Sequence, residues 1–455
     1  MVFSSLTFLV FFLPVFLFAY FIVPKRYVNV RNFVLLVFSL FFYSAGEPVW
    51  VVILLLSAST DCLIGLFMEK LRGKWQAKVL LVISLCCSLG ILVLFKYMEF
   101  FLGLAGIHIT FAPGLPIGIS FYTFQTMSYS IDLYRGRVKA QRNPIAFLTF
   151  VAMFPQLVAG PIVRYTDVET MLTQRETNIH MISRGITRFV MGLGKKVIFA
   201  NHAGAVANEL LNSPDTSTLA VWVGSVMFMF QIYFDFSSYS DMAIGLGKII
   251  GFEFKENFNY PYISKTVTDF WRRWHISLGT FFREYLYIPL GGNRKHAVFN
   301  IMFVWLITGL WHGASVNFII WGMYFGVALL IEKYLLRDLL EKMPAFFGHV
   351  YCMLIVLYGW VLFYFTDLSE MATASARFFG FGGTFYDYRA VELLLANIWI
   401  LPVFAIFSTR VPIRIFNKLT ERLPVTEPVL NFSLLCFSFI LLIGQTFTPF
   451  IYFKF

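Results

Sequence analysis

The sequence predicts an all-α polytopic integral membrane protein: one domain over residues 1–455, with about ten or eleven transmembrane helices plus re-entrant or interfacial helices around a central channel. Three observations predict it. Charged residues make up 13% of the chain against 58% hydrophobic, roughly half the charge of a soluble domain, and the mean hydropathy is +0.73. The apolar residues form long continuous runs, not an alternating pattern, which favours helices over a barrel. The basic residues recur in every second connection. Lys25, Arg26 and Arg31 follow the first run, Lys70, Arg72, Lys74 and Lys78 the third, and Arg135, Arg137, Lys139 and Arg142 the fifth. The intervening turns, at Gly46-Glu47 and from Lys96 to Gly114, are poor in Lys and Arg. By the positive-inside rule this puts the basic loops in the cytoplasm and the N-terminus outside.

In order, spans are expected near 3–23, 32–46, 49–67, 79–95 and 115–133, each long enough or nearly so to cross the hydrocarbon core. The first run lacks a basic leader and a small-x-small cleavage site, so it reads as a retained helix. A sixth run, 144–162, is interrupted by Pro155 and Gly160-Pro161. Residues 164–188 are too charged to span. Arg184, Arg188, Lys195 and Lys196 suit an interfacial helix. A long span is expected over 219–250. Residues 255–297 mix aromatic and charged side chains with Pro261, Pro289 and Gly291-Gly292, which suits re-entrant helices covered by protein. Spans resume at 298–333, as two helices split near His312-Gly313, and then at 349–366, 391–408 and 428–446, with 367–390 as a loop.

The net charge of +11 does not point to nucleic acid, because the charges alternate between loops and do not collect on one face. Cys62, Cys86, Cys87, Cys352 and Cys436 all lie in apolar runs without CxxC spacing, and read as buried thiols. Ionisable residues inside apolar runs are more informative, since burying them unpartnered costs several kcal/mol. His108, His180, His202, His296 and His349 sit in loops or at span edges. His312 instead lies mid-run beside Trp311, flanked by Gly309 and Gly313, where a backbone or ligand can approach closely. His275 lies in DFWRRWHISLGTFFREYLYIPLGG, residues 269–292; as a helix this would put Trp271 and His275 on one face and pair Asp269 with Arg273. Asp235 and Asp241 lie in QIYFDFSSYSDMAIG. Asp235 either lines a cavity or makes a structural buried bond. No metal-ligand spacing joins the two histidines, so no metal site is expected.

Five ordered stretches carry a resemblance: LPIGISFYTFQTMSYSIDLYRG at 115–136, FPQLVAGPIVRY at 154–165, QIYFDFSSYSDMAIGLG at 231–247, the 269–292 stretch above, and GLWHGASVNFIIWG at 309–322. Together they resemble the membrane-bound O-acyltransferase family, in its bacterial alginate O-acetyltransferase branch, with a weaker likeness to the D-alanyl transfer branch for teichoic acids. The resemblance centres on residues 115–330. It implies acyl transfer from a thioester to a hydroxyl within the bacterial cytoplasmic (inner) membrane, and its two histidines fall on His275 and His312. His312 is then the expected base. His275 is expected to orient the donor or polarise its carbonyl. Trp271, Arg273, Trp274, Trp311, Gly313, Asp235 and Gln231 are expected to line the substrate channel, with Gly309 and Ala314 as further walls. The implied co-substrate is acetyl-coenzyme A, with no bound cofactor. The implied partners are a cell-surface polysaccharide acceptor, an extracytoplasmic esterase-like protein that completes O-acetylation, and the lipid bilayer. A transporter for a glycan or acyl carrier is the rival reading, suggested by the broken spans.

Overall fold

The computed structural model describes residues 2–107, 114–213, 216–444 and 450; His108 lies outside them. Among these residues the regular structure is entirely helical. Among the described residues six helices are long and apolar enough to cross a membrane, and seven if Tyr388–Asn397 and Ile400–Phe407, bent by 59°, count as one span. Three shorter apolar helices, Thr7–Ile22, Val28–Ser44 and Ala297–His312, would have to be added to reach ten. The chain is therefore an all-α polytopic membrane protein. It divides into two compact units, one holding residues up to Leu193 with Tyr239–Glu256, the other holding Gly194–Ser238 with Asn257–Leu441.

The first unit contains α1 (Leu13–Ile22), α2 (Val28–Ser44), α3 (Trp50–Lys70), α4 (Trp75–Leu92), α5 (Ile119–Tyr134), α6 (Pro144–Ala152) and α7 (Ile179–Gly194). Asn143 caps α6, its side chain accepting from the Ile145 and Ala146 amides, and Pro144 occupies the first turn, where no amide is needed. The run from 144 then breaks after Ala152, and only a single turn, Phe154–Leu157, follows. Phe3, Phe8, Phe12, Phe16, Phe42 and Phe154 pack ring on ring into its core. Cys86 and Cys87 are exposed, not buried; in a lipid solvent an apolar run satisfies its environment on its outward face too.

The second unit contains α8 (Asn201–Leu211), most of α9 (Thr218–Ile250), α10 (Val267–Arg273), α11 (Ile276–Phe282), α12 (Ala297–His312), α13 (Val316–Ile331), α14 (Ala345–Tyr364), α15 (Leu368–Phe378), α16 (Tyr388–Asn397), α17 (Ile400–Phe407), α18 (Val411–Arg422) and α19 (Thr426–Gly444). The split of the 298–333 run falls where expected, at Gly313–Ser315. Residues 368–378 form a helix and not a loop, because Asp367 caps it by accepting from the Ser369 and Glu370 amides. The hairpin of α12 and α13 is tight. A Cβ on Gly309 would strike the Phe318 carbonyl, and one on Gly322 the Trp305 carbonyl.

Within the first unit, Arg188 of α7 donates to Asp241 at 2.6 Å and also to Glu256, so the Asp241 carboxylate is paired. The same helices touch through glycines: a Cβ on Gly245 would lie 2.7 Å from the Gly185 carbonyl oxygen and 2.7 Å from the Phe189 nitrogen, whereas one on Gly90 meets nothing within 4 Å. Gly245→Ala is expected to destabilise the detergent-purified protein by about 1–3 kcal/mol through overpacking. Gly90→Ala is expected to leave the melting temperature unchanged or raise it. A melting curve of each variant checks both.

Candidate active site

Residues 269–292 do not form one helix. α10 ends at Arg273 and α11 begins at Ile276, and between them His275 adopts φ 47° and ψ 54°, a left-handed conformation that only three non-glycine residues among the described ones adopt. Such strain persists only where surrounding contacts hold it, and it clusters at functional sites. Asn257 holds it here. Its carbonyl accepts from the Ile276 amide at 2.9 Å. Its side-chain Oδ1 accepts from the Ser277 amide at 3.2 Å and from the Ser277 hydroxyl at 2.8 Å, and it lies 3.1 Å from His275 Nδ1. An oxygen already facing an N–H is fixed as acceptor, so Nδ1 carries the proton and Nε2 the lone pair. Upstream, buried Glu332 at the end of α13 accepts from the Val267 and Thr268 amides and from the Thr268 hydroxyl. A carboxylate there satisfies the free amides of the first turn of α10 and favours its dipole.

His275 is 2% exposed, with Phe236 edge-on at 4.7 Å. Burial pushes its imidazole down to about 3, so the ring is neutral. His312 is the last residue of α12 and is 7% exposed. Trp311 and Trp321 at 5.0 Å and Phe363 at 5.3 Å surround its ring. Trp311 is also 6.0 Å from the His275 ring, so one indole is shared by both imidazoles.

Both histidines line one cavity of about 690 Å³. Its wall on α12 is Ile301, Val304, Trp305, Thr308 and His312, a single helical face that runs for about 16 Å at 1.5 Å per residue. Trp271, Trp274 and Leu278 form another wall. Arg272, Arg283, Lys333, Arg337 and Glu341 also border it, and of these Arg272, Arg283, Arg337 and Glu341 are exposed. The cavity is therefore an aromatic slot with an imidazole at one end and a cationic mouth at the other.

Trp271, Trp274, His275 and His312 border this cavity; Arg273, Asp235, Gln231, Gly309, Trp311, Gly313 and Ala314 do not. Arg273 turns away to bind Asp269 at 2.9 Å, leaving its neighbour Arg272 on the cavity face of α10. Asp235 is in a buried ion pair with Lys196, side chains 2% and 4% exposed. This also removes Lys196 from the interface, because a carboxylate within a span draws in the nearest cation. Gln231 packs against Gly204 of α8. Gly313 exists for the Phe318 ring, which a Cβ would overlap, and Gly309 for the Phe318 carbonyl; both serve the hairpin and not a passage. Trp311 contacts both imidazoles from outside the cavity lining. Asn257, Arg272 and Glu332 also belong to the site, and the sequence pattern does not mark them. An asparagine eighteen residues before a histidine has no periodic signature, although an acidic residue at the end of an apolar run could have marked Glu332.

The neutral His275 predicts an acid dependence. The unfolded chain protonates this residue near pH 6.5 while the folded chain resists until about 3, so stability is lost as pH falls through this window. By pH 5 the loss is about 2 kcal/mol for one such group. Melting temperatures of wild type and His275→Gln between pH 7.5 and 5 check it, the variant being expected to show the shallower slope.

Residues 138–375 match the model of the MBOAT, membrane-bound O-acyltransferase, family. The chain is 40% identical to the probable alginate O-acetylase of Azotobacter vinelandii, over 92% of this chain and 85% of that protein. It is 32% identical to the peptidoglycan O-acetyltransferase of Helicobacter pylori, over 84% and 80%. It is also 32% identical to the teichoic acid D-alanyltransferase of Bacillus subtilis, over 47% and 58%. With a family match over half its length and full-scale relatives at this identity, the chain belongs to the membrane-bound O-acyltransferase family and is a membrane-embedded O-acyltransferase.

Proposed function

We propose that the protein takes an acetyl group from a cytoplasmic thioester, acetyl-coenzyme A, and passes it across the bacterial cytoplasmic membrane to a polysaccharide hydroxyl. The acceptor is reached directly or through an extracytoplasmic esterase-like partner. The observation that carries this reading is the one slot that joins a cationic mouth to two buried imidazoles. Phosphates of the donor suit the arginines and lysine at the mouth, and its thin arm suits the aromatic walls. Charge supports the direction. Arg294 and Lys295 precede α12 and Lys333, Arg337 and Lys342 follow α13, whereas the other end of this hairpin is Gly313-Ala314-Ser315. By the positive-inside rule the mouth then faces the cytoplasm and His312 the outer side, the orientation that also puts the N-terminus outside. Alginate and peptidoglycan, named for the relatives, support a surface glycan as the acceptor.

In this reading the acceptor oxygen attacks the thioester carbonyl carbon while His312 takes the hydroxyl proton. The carbon–sulfur bond then breaks and the proton goes to the departing thiolate, giving ester and thiol. The tautomer of His275 favours a role as acceptor. Its Nε2 can hold an amide N–H of the donor arm, whereas polarising the carbonyl would require a proton that burial disfavours.

The test uses purified protein in proteoliposomes with labelled acetyl-coenzyme A and glycan acceptor. His312→Ala is expected to lower the transfer rate by about 10²–10⁴-fold. An unchanged rate with intact membrane insertion rejects His312 as base, and an untouched thioester in the wild type rejects acyl-coenzyme A as donor. Arg337→Ala is expected to raise KM for acetyl-coenzyme A about ten-fold with kcat little changed, as loss of uniform binding does. The same variant should leave KM for a pantetheine thioester without nucleotide phosphates unaltered.

A further inference from the structure

The first unit holds a buried carboxylate that the acyl-transfer chemistry does not use. Asp61 lies in the middle of α3, 1% exposed. Ser84 and Ser88, one turn apart on α4, donate to its two oxygens, Ser84 to Oδ1 at 2.6 Å and Ser88 to Oδ2 at 3.0 Å. Ser84 also lies 2.7 Å from Ser130, and Ser88 3.4 Å from Thr126, one turn apart on α5. The Thr126 hydroxyl is itself within reach of the carboxyl. All four hydroxyl residues are at most 2% exposed. The partners of Asp61 are hydroxyls alone, and no lysine, arginine or histidine among the described residues pairs with it. Next along α3, Gly65 lets the Tyr129 ring approach to where a Cβ would be 2.9 Å away, which holds α3 and α5 together at this level.

A single negative charge in this setting is costly unless something positive joins it. Six oxygens from three helices are linked here by hydrogen bonds of 2.6–3.4 Å. One carboxylate balances one unit charge, which favours a monovalent ion over calcium or magnesium, whose sites gather more carboxylates or keep water. Oxygens at hydrogen-bonding distance must move apart to admit an ion, and a small ion requires the least movement. The hydroxyls can adapt, since a helical serine or threonine can turn its proton to the carbonyl four residues back. Ser84, Ser88 and Ser130 would then donate to Leu80, Ser84 and Thr126 and aim their lone pairs at the ion.

We propose that Asp61, Ser84, Ser88, Thr126 and Ser130 form a sodium-ion site that joins α3, α4 and α5. The site stands apart from the acyl-transfer reading and does not depend on it. The test is binding of labelled sodium to the purified full-length protein, with melting temperature in sodium, potassium and choline chloride at equal ionic strength. Wild type should bind a single ion per chain and melt higher in sodium than in choline. Asp61→Asn should bind none and show no sodium response, and Ser88→Ala should bind about ten-fold more weakly. His312→Ala should bind as wild type does. Absence of sodium binding in the wild type overturns the proposal, with the carboxyl then carrying only a proton. If Asp61→Asn fails to fold, an unchanged affinity in both Ser84→Ala and Ser88→Ala overturns it equally.

Discussion

The break between α10 and α11 is the constraint on which the site depends. A continuous helix through residues 269–292 would place His275 by helical periodicity alone, one turn after Trp271. The left-handed backbone at His275 turns the chain there instead. A β-carbon in that conformation is unfavourable, so the turn needs external support. Asn257 supplies it with one carbonyl and one side-chain oxygen, and Glu332 fixes the start of α10 from the end of α13. The two contacts divide the work. Glu332 ties α10 to the α12–α13 hairpin whose far end carries His312, and Asn257 sets both the backbone turn and the ring tautomer. The distance between the two imidazoles therefore depends on polar contacts made by residues with no chemistry of their own.

The hairpin adds the second requirement. Gly309 and Gly322 bring two helices so close that each backbone contacts the other's carbonyl groups, as small residues do between helices in lipid. The GLWHGAS stretch therefore has two separate purposes. Its glycines and Phe318 make the crossing, and its histidine ends α12 among the Trp311, Trp321 and Phe363 rings. With the thioester donor proposed above, apolar walls around the ring matter, because water is a competing acceptor for the same acyl group.

The membrane class, the long central helix and the split at His312 were legible because hydropathy and charge act over many residues at once. His312 was legible because ionisable groups are rare in such runs; His275 lies among charged residues and stood out through the family resemblance. What was hidden depends on geometry at single residues. Arg272 and Arg273 are equally basic in the sequence, and only the turn of α10 decides that one meets the cavity and the other Asp269. Asp235 and Lys196 are 39 positions apart, so neither suggests the other. Asp61 escaped notice for a related reason: its partners are serines and a threonine, which in an apolar run are common and carry no charge signal.

The geometry of the slot also constrains proton flow. Under the proposed orientation a hydroxyl on the outer side loses a proton and a thiol on the cytoplasmic side gains one, so each transfer carries a proton inward along with the acyl group's exchange. A neutral imidazole at the outer end can accept that proton, and the thiolate beside it can take it back, only while the sulfur reaches as far as His312. The length of the α12 face, about 16 Å, is the distance an arm must span from mouth to imidazole. A donor whose thioester sat at the mouth would leave its thiolate without a nearby acid. Under the proposed function, the depth of the cavity suits a thioester carried on a long, narrow arm, and the cations at its mouth suit an arm that ends in phosphate.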